Sequence, residues 1–159
     1  MAKIVLGIDP GLRITGYALL SCNGGSIDLV EAGTLKTIDG DTLEDRLKTL
    51  YDGLEEVISE FKPDTVSVER LYSHYKHPQT AVVMGHARGI IYLCAANHKI
   101  PLNSYASTRI KKALTGNGRA SKMQMQKTVQ SIFKMKELPK PPDIADAIAA
   151  ALCHIEAEK

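Results

Sequence analysis

Gly7-Ile-Asp-Pro-Gly11-Leu-Arg-Ile-Thr-Gly16-Tyr17 is the stretch on which the fold turns. Ile4, Val5, Leu6 and Ile8 make an apolar run that closes on one carboxylate, Asp9, and a Pro-Gly pair follows at once. An apolar run of that length before a turn reads as a buried strand. Ile14 to Leu20 reads as a second strand returning beside it. Asp9 then falls in the middle of a sheet, where a charge is expensive unless something cationic compensates it. A metal ion is the usual compensation, and one acid cannot hold a catalytic metal alone.

Working outward, the pattern gives strands at 3–9, 14–22 and 26–36, a helix at 42–61, a strand at 64–69, a helix at 78–98 and a strand at 101–105. Helices near 107–115, 121–135 and 142–157 complete it. The 42–61 helix carries Leu43, Leu47, Leu50, Leu54, Val57, Ile58 and Phe61 at helical spacing. Thr65 to Glu69 alternates as a strand does. Three strands in hairpin order, then helix–strand alternation, imply an α/β chain with a mixed sheet of about five strands flanked by helices. At 159 residues the chain reads as a single domain, 1–159.

Apolar residues make up 44% and charged residues 24%, the proportions of a globular protein. No basic-then-apolar leader opens the chain, and no stretch reaches the roughly 18 uninterrupted apolar residues of a membrane span. Cys22, Cys94 and Cys153 are odd in number and widely spaced, as expected of reduced core residues in a cytoplasmic protein. The net charge of +2 hides an asymmetry. From Asp28 to Asp64 there are eleven acids and four bases, whereas Arg70 to Lys136 holds twelve Lys or Arg and no acid. Such a span reads as a surface that meets a polyanion, and nucleic acid is the commonest.

Glu69 closes its strand as Asp9 closes the first, so the two meet at one sheet edge if those strands are neighbours. Asp143 and Asp146 stand three apart at the start of the last helix and share a face. His154, on the same helix, is the one histidine expected to border them. Four carboxylates make an oxygen-rich site suited to Mg²⁺, with Mn²⁺ as a substitute. Two such ions roughly 4 Å apart would hold the attacking water and leaving oxygen of a phosphodiester.

Gly7 to Tyr17, Val68-Glu69-Arg-Leu-Tyr72, Gly85-His-Ala-Arg-Gly89, Tyr105-Ala-Ser-Thr-Arg-Ile-Lys-Lys112 and Asp143-Ile-Ala-Asp-Ala147 together resemble the RuvC family of Holliday-junction resolvases. The resemblance implies a ribonuclease H-like fold and a homodimer. Its implied activity is the resolution of four-way junctions in homologous recombination and repair by paired symmetric nicks. It implies that Asp9, Glu69, Asp143 and Asp146 bind two Mg²⁺ ions, and that Lys111 and Lys122 lie near the scissile phosphate. It also implies that Tyr72 stacks on bases at the junction centre, and that a branch-migration motor works with the enzyme. Arg70, Lys76, Arg109, Lys112 and Arg119 are the further expected DNA contacts.

Two other classes are open. Sugar kinases and actin-like ATPases also begin with an Asp-x-Gly turn after a strand, but they need two such domains around a nucleotide. A non-catalytic junction-binding module would dispense with the acids, and all four are present. The 78–98 helix is apolar on too many sides for a solvent-facing helix, and small residues at Ala81, Gly85, Ala87 and Gly89 make it the expected dimer contact.

Overall fold

Strand β1, Lys3–Asp9, is the centre of the molecule, and its alternation of side chains between two faces organises everything else. The computed structural model describes residues 1–71 and 76–159. β2 (Ile14–Asn23) returns antiparallel to β1, with Ile8 opposite Tyr17 and Asp9 opposite Gly16. The turn between them is sealed by the fully buried Thr15. Its hydroxyl donates to the Gly11 carbonyl at 2.5 Å and accepts from the Gly11 N–H at 3.2 Å. β3 (Ser26–Lys36) pairs antiparallel with β2, its register shifting between Leu19 and Leu20.

Helix α1 (Leu43–Phe61) is capped by the Thr42 hydroxyl, and Lys62 ends it in the left-handed conformation. β4 (Thr65–Glu69) then lies parallel to β1 on its free side, with Ile8 beside Val68. After α2 (Pro78–Asn97), β5 (Leu102–Tyr105) runs parallel to β4, giving the sheet order β3-β2-β1-β4-β5. α3 (Ser107–Thr115), α4 (Lys122–Ile132) and α5 (Pro142–Ala157) follow. The expected helix over 121–135 therefore ends three residues early. Lys134 takes the left-handed conformation, and the Met135 N–H turns back to the Gln130 carbonyl at 3.0 Å. That reversal packs the half-buried Met135 against the core on the α5 side of the sheet.

The sheet separates two cores. Leu6, Ile8, Leu19, Val66 and Val68 face α1 and α2, while Val5, Ala18 and Leu20 face α3, α4 and α5. On the second face the strands carry small groups where α5 crosses. A Cβ on Gly7 would lie 2.0 Å from the Ala147 carbonyl oxygen, and one on Gly16 would lie 2.2 Å from that of Asp143. Only glycine fits at either point. The buried Ser67 hydroxyl donates to the Ala150 carbonyl at 2.6 Å, tying α5 to β4 as well. Among the described residues no helix is long and apolar enough to cross a membrane.

Candidate active site

Strand parity brings the acids together. Val5 and Gly7 face α5, so Asp9, two further on, faces it too; Ser67 faces α5, and so does Glu69. Asp143 and Asp146 reach the same place from the first turns of α5, whose backbone rests on Gly16 opposite Asp9. Asp143 lies inside the helix, after Pro141 at the N-cap and Pro142, so it is not the capping residue. Its side chain is near enough to Asp9 to disfavour the charged form of that carboxyl.

The electrostatics are those of crowded negative charge. The Asp9 carboxyl is held well above the ordinary carboxylate range, by burial first and then by the charges of Asp146, Asp143 and Glu69. Asp146 is pushed up to about 6, again by burial and then by Glu69. Glu69 is raised by burial, against a hydrogen bond from Ser107 and the positive charges of Lys111 and Arg88. Lys122 and Lys111 both favour the ionised form of Asp146.

Glu69 stands between two depressions of about 180 Å³ each. One is lined by Glu69, Asp146, Ser107, Lys111 and Lys122, and the other by Asp9, Glu69, Arg70 and Arg88. Lys111 on α3 and Lys122, the first residue of α4, thus converge on two of the acids. Arg70 borders the second depression, its N–H bonded to the Tyr105 carbonyl at 2.7 Å.

The other basic residues are spread more widely. Arg109 and Lys112 line a separate depression with Cys153 and Glu156, and Arg109 stacks on the Tyr105 ring at 5.0 Å. Arg119 is exposed in the α3–α4 loop, its N–H held by Asn117 at 2.9 Å, and Lys76 is exposed ahead of α2. Tyr72 lies outside the described residues.

His154 does not border the acids. It lies two turns along α5 from Asp146, with Nδ1 2.8 Å from the Tyr105 hydroxyl and Nε2 3.3 Å from Glu158. Eight residues of helix separate the two side chains by about 12 Å of rise. Two contributors escaped the sequence reading, Ser107 and the buried Arg88. Both fall inside quoted motifs, but neither residue type signals its role without knowledge of Glu69's position.

Among the described residues, no group of three or more His, Cys, Asp or Glu side chains is arranged, as it stands, to hold a metal ion. The donor set nevertheless fits hard divalent cations. It is all oxygen, it comes from three elements, and Asp9 is desolvated among like charges that a cation would neutralise.

Residues 5–154 match the sequence profile of the family Crossover junction endodeoxyribonuclease RuvC. The chain is 47% identical to the protein of that name from Rhodopirellula baltica, over 96% of this chain and 85% of the relative. It is 44% identical to the one from Pseudothermotoga lettingae, over 95% and 93%. Among solved structures, Thermus thermophilus RuvC in complex with Holliday junction substrate superposes with a TM-score of 0.90 at 30% identity, covering 98% of this chain and 94% of that one. The yeast mitochondrial Holliday junction resolvase shares the fold, with a TM-score of 0.67 at 17% identity. Fold and site together define a nuclease of the ribonuclease H-like class. Within that class, the chain belongs to the RuvC family of crossover junction endodeoxyribonucleases.

Proposed function

We propose that this chain resolves four-way DNA junctions in recombination and repair, as a homodimer that makes paired symmetric nicks by metal-dependent phosphodiester hydrolysis. The observation that carries the reading is the gathering of Asp9, Glu69, Asp143 and Asp146 at one end of the α5-facing side of the sheet, with Lys111 and Lys122 beside them. The four acids would hold two Mg²⁺ ions, with Mn²⁺ as a substitute. Held there, they would supply the positive charge that acidifies the attacking water and stabilises the leaving 3′-oxygen.

The chain's own residues do the rest. Ser107 lines the depression beside Glu69 and favours that acid's ionised form. Lys111 and Lys122 offset the charge that builds on the phosphate in the transition state. Breaking the P–O3′ bond leaves 5′-phosphate and 3′-hydroxyl ends, which a ligase can rejoin. The basic residues Arg70, Lys76, Arg109, Lys112 and Arg119 hold the arms of the junction by phosphate contact. Tyr72 stacks at the junction centre, and a branch-migration motor is the working partner.

A junction with near two-fold symmetry calls for two sites related by the same symmetry. Helix α2 offers the contact. Val82, Gly85, Gly89, Tyr92 and Leu93 form an exposed stripe, and a Cβ on either glycine would meet nothing within 4 Å. Ala87, one of the small residues expected there, is instead buried in the protomer's own core.

The test is incubation with a synthetic four-way junction and Mg²⁺, mapping nicks on all four strands. Paired symmetric nicks are expected, with Asp9→Asn binding the junction in Ca²⁺ but cutting at least about 100-fold more slowly. Equal cutting of plain duplex would sink the proposal.

A further inference from the structure

We infer that Arg88 is a positioning residue that couples the exposed face of α2 to the acid Glu69. This inference rests on the proposed homodimeric nuclease. Arg88 is 9% exposed, and a buried guanidinium is costly unless its donors are taken up. Among the described residues no carboxylate lies within ion-pair distance of it. Its partners are instead the end of β4 and its own helix. Nη1 donates to the Glu69 carbonyl, and Nη2 donates to the Tyr92 hydroxyl at 3.2 Å. The guanidinium carbon lies 5.6 Å from the centre of the Tyr92 ring.

The Glu69 backbone is thereby gripped from both sides. Arg88 holds its carbonyl, and the next N–H, that of Arg70, is held by Tyr105 of β5. Those two bonds fix where the Glu69 side chain leaves the strand. The Tyr92 end of the linkage is 46% exposed and lies in the stripe with Leu93 and Val82. A second copy covering that stripe immobilises Tyr92, hence the guanidinium, hence the last peptide of β4. The linkage gives the dimer a part in the geometry of each site, beyond supplying two of them.

The experiment compares Arg88→Gln, Arg88→Lys and Tyr92→Phe with the unaltered protein. It measures single-turnover cleavage at saturating junction and Mg²⁺, junction affinity in Ca²⁺, dimer mass by sedimentation, and Mn²⁺ binding without DNA by electron paramagnetic resonance. Arg88→Gln is expected to cut about tenfold more slowly, since small misplacements of a catalytic group have effects of that size or larger. Its junction affinity and dimer mass should stay unchanged, while its Mn²⁺ binding weakens several-fold. Arg88→Lys, which keeps the charge but loses the fork of donors, should recover part of the rate. Tyr92→Phe should fall between Arg88→Gln and the unaltered protein.

Wild-type rate and Mn²⁺ affinity in Arg88→Gln would overturn the inference, as would a fall explained wholly by lost dimer. Should Arg88→Gln fail to fold, unchanged rates in both other variants overturn it. Should the unaltered protein cut no junction, the proposed function fails separately, and the Mn²⁺ titration still decides the role of Arg88.

Discussion

Replacing Asp146 by Asn should stabilise the metal-free protein while abolishing its chemistry. The Asp146 carboxyl is moved from the ordinary 3.8 to about 6, by burial and by Glu69. For an acid whose folded value is raised, the neutral form is the one the fold favours. The ionised form therefore costs stability as pH climbs from about 4 to about 6, and the full cost persists above that range. At roughly 1.4 kcal/mol per unit, the charge on Asp146 destabilises the fold by about 3 kcal/mol at pH 7.5. Asn resembles the neutral carboxyl in shape and polarity, so it should remove most of that cost. In a chain of this size about 3 kcal/mol corresponds to a rise in Tm of roughly 6–12 °C.

The assay is thermal unfolding of both proteins in EDTA from pH 4 to pH 8, with junction cleavage in parallel. The stability gap should be widest at pH 7–8, shrink through pH 5 and close near pH 4. Mg²⁺ should narrow it at pH 7.5 by stabilising the unaltered protein, which alone keeps the full ligand set. A variant no more stable at pH 7.5, or a gap independent of pH, would refute the reasoning.

Gly7→Ala should destabilise by about 3 kcal/mol in urea unfolding, because its Cβ meets the Ala147 carbonyl and α5 must move; an unchanged midpoint would show that α5 does not sit against β1. Ser67→Ala removes a buried hydroxyl bonded to the Ala150 carbonyl and should cost about 1–2 kcal/mol by the same measurement, with no cost refuting that contact. Lys122→Ala should lower the single-turnover cleavage rate about 10–100-fold and leave Mg²⁺-free junction binding nearly intact, since the lysine faces Asp146 at the acid site. A loss confined to binding would make Lys122 a phosphate anchor instead.

Much of the architecture was readable because hydrophobic period and turn chemistry are local. The alternation of Thr65 to Glu69 and the apolar run before Asp9 yielded β4 and β1 nearly to the residue. The α1 spacing gave its buried side, Leu50, Leu54, Val57 and Ile58. The end of α4 was not readable, because no local stop signal precedes the turn at Lys134 that packs Met135 against the core. The histidine on α5 misled for a similar reason: sharing a helix with Asp146 says little about distance once two turns intervene.

By itself the sequence determined the candidate ingredients of a site and pointed to a polyanionic partner. Asp9 and Glu69 each end a strand, Asp143 and Asp146 share one helix face, and the acid-free span from Arg70 to Lys136 reads as a surface for a polyanion. Tertiary structure alone decided that these ingredients meet. Pairing β4 beside β1 in register, and seating α5 against Gly7, Gly16 and Ser67, puts four like charges on one side of one sheet. It also buries Arg88 against the Glu69 backbone. The reason is that periodicity fixes which way a side chain faces along its own element. The distance between elements depends on how closely two backbones can approach, and here glycines and a serine hydroxyl settled that distance.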